Sequence, residues 1–265
     1  MLLALETATD TCGVALLRDD EVVAEAHLHR ARVHSERLTP LVEDVLCHAD
    51  EGPTALDAVA VSMGPGSYTG LRIGVSTAKG WALSTDADLV GVPTLAAYAA
   101  QLRPIAEAGD VVCPLFDARR DEVYAAAYRA TPDGFEEQAK TTALTVDGLP
   151  DWIGTVEGRL WLMGDGAVKS REALAGVGTD QTVLPPDDVP PSAAWVARRG
   201  RHRVRRTDAD RTVQFRQRVQ RRQGRRSLCT LQFGRPEDVF EFPVAAAGAR
   251  DREQVGLAVL RDRPV

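Results

Sequence analysis

The residues with the clearest chemical potential lie between Met63 and Gly80, in the order Met-Gly-Pro-Gly-Ser-Tyr-Thr-Gly-Leu-Arg-Ile-Gly-Val-Ser-Thr-Ala-Lys-Gly. An apolar run, Leu56 to Val61, precedes them and reads as a buried strand. Gly64 to Ser67 turn the chain, and a helix is predicted from Thr69 or Gly70 to about Ser84. Strand, glycine-rich turn and helix in that order present backbone N–H groups to an anion. Thr7, Thr9 and Thr11, with Gly13, surround the first turn of the chain, either as part of a phosphate cradle or as an ordinary polar hairpin. Thr7, Thr9, Thr11, Gly64, Gly66 and Ser67 are therefore the candidate nucleotide cleft, read as vestigial. A Walker A loop needs lysine directly after its last glycine, and here Leu71-Arg72 follow Gly70 while Lys79 lies two turns on. The dinucleotide pattern fails as well, because Gly64-Pro65-Gly66 is followed by Ser67-Tyr68-Thr69.

Other constellations are weaker. Ala60-Val61-Ser62-Met63-Gly64 is a degenerate nucleophile elbow, but the only histidine downstream is His202, in an aberrant tail. A serine hydrolase using Ser62 or Ser67, or an ATPase, is the alternative class. Glu6, Asp10, Asp117 and Asp165 sit at strand ends or turns, and nothing pairs them by sequence. His27, His29 and His34 lack metal-ligand spacing and read as surface histidines. Cys12, Cys47, Cys113 and Cys229 are scattered, which suits reduced thiols in a cytoplasmic protein. The expectation is no catalytic residue and no metal site.

These residues need elements to hold them. Leu2–Ala8, Cys12–Leu17 and Glu21–His29 read as an antiparallel meander. Ser35–Ala49 is the best helix, with Leu38, Leu41, Val42, Val45, Leu46 and Ala49 on one stripe and Ser35 as its cap. With the strand before Gly64, the glycine-rich helix, a strand at Leu89–Val92 and a helix at Leu95–Leu102, residues 1–103 give β-β-β-α-β-α-β-α. That is an α/β fold with a mixed five-stranded sheet, the ribonuclease H-like plan. Residues 104–199 read as a smaller α/β domain, with strands at Val111–Phe116, Glu122–Tyr128, Thr141–Val146 and Leu160–Met163 and helices at Lys169–Leu174 and Ala193–Arg199. Within the glycine-rich helix, Gly70, Gly74 and Ala78 recur every four residues. Glycine there costs about 1 kcal/mol relative to alanine, so something packs very close, either the domain's own sheet or another helix.

The net charge of −6 conceals an asymmetry. Residues 1–197 hold 30 acidic and 14 basic side chains, whereas residues 198–265 hold 18 arginines, no lysine and 8 acidic residues. Residues 200–265 are thus expected to be irregular. The composition admits a disordered nucleic-acid arm or, with arginine but no lysine, out-of-frame translation of a GC-rich sequence. No apolar run reaches the length of a membrane span, and the N-terminus has no basic leader.

Several blocks resemble the bacterial TsaB (YeaZ) family: Leu3–Thr9, Arg32–Leu41, Gly64–Gly74, Ala78-Lys79-Gly80, Gly91–Leu95 and Asp117–Tyr124. The resemblance runs from residue 1 to about 199. It implies an actin-like ATPase superfamily fold of two ribonuclease H-like halves, and a role in forming threonylcarbamoyl-adenosine next to the tRNA anticodon. The family is described as a non-catalytic scaffold for TsaD, the paralogue that transfers the group, with TsaE as the ATPase; tRNA is reached through the complex. The resemblance implies no intrinsic cofactor, with ATP or ADP at the complex interface, and association with TsaD or with itself as a homodimer. It places the partner interface on two helices, at Leu38, Leu41, Val42 and Val45 on the first and Gly70, Ile73, Gly74, Thr77 and Ala78 on the second. The family's closing Pro-x-Tyr-x-Arg-like segment has no counterpart here, since no tyrosine follows Tyr128.

Overall fold

The computed structural model describes residues 1–209, 228–232 and 239–243. Met1–Gln214 form one compact unit and Phe215–Val265 another. The first unit begins with β1 (Leu2–Glu6), β2 (Thr11–Arg18) and β3 (Glu21–His29), followed by α1 (His34–His48), β4 (Ala58–Ser62), α2 (Tyr68–Thr85), β5 (Asp88–Val92) and α3 (Thr94–Ala100). It continues with β6 (Val111–Asp117), β7 (Glu122–Thr131), β8 (Gly134–Thr145), α4 (Leu149–Ile153), β9 (Leu160–Met163), α5 (Ala167–Ser170), β10 (Gln181–Leu184) and α6 (Ala193–Ala209).

The first sheet has the order β3-β2-β1-β4-β5, antiparallel from β3 to β1 and parallel from β1 to β5. The second has the order β8-β7-β6-β9-β10 and the same directions. One ribonuclease H-like plan is therefore used twice, the α/β architecture of the actin-like superfamily. Leu3, Leu5, Val59 and Val61 on one face of the first sheet pack with Leu38, Val42 and Val45 of α1 and Ala78 of α2. Leu2, Ala4, Ala60 and Val92 on the opposite face pack with Val196 and Ala197 of α6.

The alanine-rich α3 is buried throughout. Leu95, Tyr98 and Ala99 enter the core of the second sheet, while Ala97 joins that of the first. Alanines permit this double approach because a helix without bulky side chains can serve two surfaces at van der Waals distance.

Several elements differ from expectation. Ser35 does not cap α1, which starts at His34 after Val33 and has no side-chain cap. His34 is buried, its ring Nε2 3.2 Å from the Thr11 carbonyl oxygen, whereas the sequence placed it on the surface. The strand read at Thr141–Val146 starts at Gly134, and β10 and α4 carried no sequence signal strong enough to register. The helix read over Ala193–Arg199 continues to Ala209. In the second unit, β11 (Leu228–Gln232) pairs antiparallel with β12 (Val239–Pro243), so two strands lie in the stretch read as irregular. The remaining residues read as an arm or an out-of-frame tail lie outside the described residues.

Candidate functional site

The glycine-rich turn is fixed from both sides. Gly64 N donates to Thr94 Oγ1 at 2.9 Å, and Thr94 N returns a bond to the Gly64 carbonyl at 2.9 Å. Gly64 has φ +100°, a conformation that glycine adopts without steric strain. Ser67 N donates to the Ala8 carbonyl at 2.6 Å, and a Cβ on Gly66 would collide with that carbonyl. Ser67 Oγ accepts from Gly70 N at 3.3 Å and so caps α2.

The bare face of α2 points inward. A Cβ on Gly70 would strike the Thr7 carbonyl, and one on Gly74 would strike Thr7 Oγ1. Ala78 and Thr7 are fully buried. The glycines are therefore occupied by the chain's own β1–β2 turn, and this overturns the placing of Gly70, Gly74 and Ala78 on a partner interface. Leu38, Val42 and Val45 are likewise core residues of α1. Of the nine interface candidates, Leu41, Ile73 and Thr77 retain partial exposure.

A second turn matches the first. Met63-Gly64-Pro65-Gly66 recurs as Met163-Gly164-Asp165-Gly166, and Gly164 has φ +103°. Gly166 N donates to the Leu115 carbonyl at 3.0 Å, as Ser67 N does to Ala8. Asp165 Oδ1 accepts from Asp117 N at 2.9 Å, and Lys169 Nζ lies 2.5 Å from Asp117 Oδ1. The hydrogen bond from Lys169 holds the Asp117 carboxyl below the usual carboxylate range.

Between the two turns lies a cleft of about 980 Å³. Thr9, Thr11, Gly66 and Ser67 line it, whereas Thr7 and Gly64 do not, so the candidate cleft is brought together in part. The opposite wall, which the sequence reading did not assign to the cleft, supplies Tyr98, Phe116, Tyr124 and Asp165. The recurrence of Met-Gly-x-Gly at Met163–Gly166 is the signal in the sequence that could have found it. Asp10, Asp117, Asp165 and Asp187 line the cleft against Arg30 and Arg119. A lining with more carboxylates than guanidiniums disfavours a polyphosphate. The turn N–H of Ser67 is also already taken by Ala8. These residues do not fit a nucleoside triphosphate. Among the described residues no group of three His, Cys, Asp or Glu side chains is placed to hold a metal ion.

Comparison with known proteins finds relatives that share part of this sequence and this fold. The family model described as "TsaD: tRNA N6-adenosine threonylcarbamoyltransferase" matches residues 22–149. The TsaB protein of Bacillus subtilis is 39% identical over 57% of this chain and 64% of its own length. That of Escherichia coli is 38% identical over 54% and 61%. The solved structure "YeaZ from Pseudomonas aeruginosa" superposes with TM-score 0.68 at 26% identity, covering 78% of this chain and 93% of that one. The chain is similar to these TsaB proteins over a little more than half of its length. It spans 64% and 61% of the length of these two curated relatives. Ser62 is fully buried, and its Oγ donates to Glu6 Oε2. No observation favours Ser62 or Ser67 as a nucleophile.

Proposed function

We propose that this chain is a non-catalytic subunit in the formation of threonylcarbamoyl-adenosine in tRNA, acting in the cytoplasm by docking a TsaD-like transferase through the outer face of α2. The observation that carries the reading is the stripe opposite the glycines. Tyr68, Arg72, Ser76, Gly80 and Leu83 follow helical spacing, all are exposed, and a Cβ on Gly80 meets nothing within 4 Å. Tyr68 and Leu83, 63% and 56% exposed, stand at the two ends of the stripe. Ile73 and Thr77 flank the stripe, and Leu41 of the adjoining α1 is half-buried. The likeness to a TsaD family model supports a partner built on the same plan. In this reading a TsaE-like ATPase joins the assembly, tRNA and ATP or ADP are met through the complex, and the stripe serves a homodimer when the paralogue is absent.

The test is capture of the full chain by a co-expressed TsaD-like paralogue, with tRNA modification measured in the same reconstitution. Gly80→Arg and Leu83→Asp are expected to lower capture and modification at least tenfold while leaving the melting temperature of the free chain within a few degrees, since both positions are exposed. Unchanged capture overturns the docking face. Modification or ATP turnover by the chain alone overturns the non-catalytic role.

A further inference from the structure

One buried acid, Glu6, lies away from the exposed face of α2. Glu6 ends β1 and is 2% exposed. Its Oε1 accepts from Ala8 N at 2.7 Å, and its Oε2 accepts from Ser62 Oγ. The Ala8 carbonyl in turn accepts from Ser67 N at 2.6 Å. A continuous chain of hydrogen bonds therefore runs from the end of β4, through Glu6 and the Ala8 peptide, to the residue that caps α2 at the cleft.

The fold does not require this acid. Ser62 precedes the first Met-Gly-x-Gly and Leu162 the second. Leu162 pairs with Cys113 across the parallel strands β9 and β6, so Cys113 and Leu162 stand where the first sheet has Glu6 and Ser62. Both are fully buried, and the second turn still holds through Leu115 and Gly166. One half of the molecule thus places a polar pair in a site that its repeat fills with apolar groups.

We propose that Glu6 is the positioning residue of the glycine-rich turn, a buried acid whose ionisation tightens, and whose protonation loosens, the Ala8–Ser67 link that seats α2 at the cleft. As a carboxylate, Glu6 accepts a charge-assisted bond from Ala8 N, which polarises the Ala8 peptide toward Ser67. When a proton is taken from solvent, Glu6 donates to Ser62 Oγ, and the Ser62 hydroxyl turns to the Leu5 carbonyl 3.3 Å away. Every group keeps a partner, but Ala8 N then meets a neutral acceptor. Burial pushes the carboxyl up to about 7, against the lowering hydrogen bonds from Ser62 and Ala8. On the elements around it, Glu25 is engaged by Ser192 Oγ and Ala194 N, His34 by the Thr11 carbonyl, and burial pushes the Cys12 thiol up to about 11. None of these three bonds to Glu6 among the described contacts.

The experiment follows the backbone amides of the full chain by NMR from pH 5 to 9. Ala8 and Ser67 amides are expected to titrate with one shared midpoint near 7, and Glu6→Gln is expected to abolish both titrations. Ser62→Ala, which removes a lowering hydrogen bond while keeping the acid, is expected to move the shared midpoint to higher pH. Titration of Ala8 without Ser67, persistence of the titration in Glu6→Gln, or an unmoved midpoint in Ser62→Ala overturns the proposal. A merely structural role for Glu6 gives no shared midpoint at Ser67.

Discussion

Glu6 shows how much a single buried carboxyl can set. Its folded pKa, about 7, lies above the ordinary 4.5, because burial penalises the charged form. The stabilising contribution of the neutral acid is complete below about pH 4.5 and is lost as pH rises through 7. At 1.36 kcal/mol per unit, the loss above pH 7 is about 3 kcal/mol. Denaturant unfolding of wild type and Glu6→Gln across pH 4 to 9 is therefore expected to show the variant gaining on wild type by about that amount between the acidic and alkaline ends. A constant difference across the range removes Glu6 as its source. In the sequence Glu6 read as one of four unpaired carboxylates. Its partner, Ser62, is 56 residues away and is reached only through the parallel pairing of β1 with β4. Local patterns carry no information about such a contact. For the same reason, the sequence could frame the glycine face of α2 as a choice between sheet and partner but could not name Thr7.

At the scale of elements, α2 carries two faces with opposite tolerances. Gly74 lies over Thr7, so an added methyl must displace a buried side chain, whereas Gly80 opens to solvent. Gly74→Ala is expected to destabilise by roughly 1–3 kcal/mol, the range for overpacking a close-packed interior. Gly80→Ala is expected to stabilise by about 1 kcal/mol, the helix-propensity difference. Chemical denaturation of the two variants checks the pair, and equal effects of one sign would mean that the two faces are not distinct. Elements with strong periodicity or long apolar runs were legible: β1 to β5, α1 and α2 differ from the sequence reading only at their ends. Those that were missed lack such signals. β10 is four half-buried residues, Gln-Thr-Val-Leu, defined by pairing with β9, and α4 is a five-residue turn.

At the scale of the molecule, the repeated sheet plan makes the cleft a product of both halves, and α6 decides whether the first half stands. The sequence reading ended its helix at Arg199 because arginines obscure the apolar period beyond it. Yet Gly200 lies so close to β4 that a Cβ would come within 2.7 Å of Ala60 Cβ, and Arg203 Nη1 donates to the Gly91 carbonyl at 2.5 Å. The helix thus continues across the sheet beyond the apolar period, with Gly200 against β4 and Arg203 tied to β5. Val196 and Ala197 cover Leu2, Ala4 and Ala60, and Ala193 packs with Ala15, all buried. Losing that cover returns apolar surface to water at about 25 cal/mol per Å², a penalty large beside the few kcal/mol by which domains are stable. Chains ending at residues 192, 199 and 214 are expected to differ accordingly. The chain ending at 214 keeps the compact unit whole and should melt cooperatively. The chain ending at 199 keeps the first turns of α6 but loses the Gly200 contact and the Arg203 bond, and should melt lower. The chain ending at 192 exposes the sheet face and should be insoluble or bind hydrophobic dye. Equal melting temperatures for the first two would show that α6 ends, in energetic terms, where the apolar period ends in the sequence.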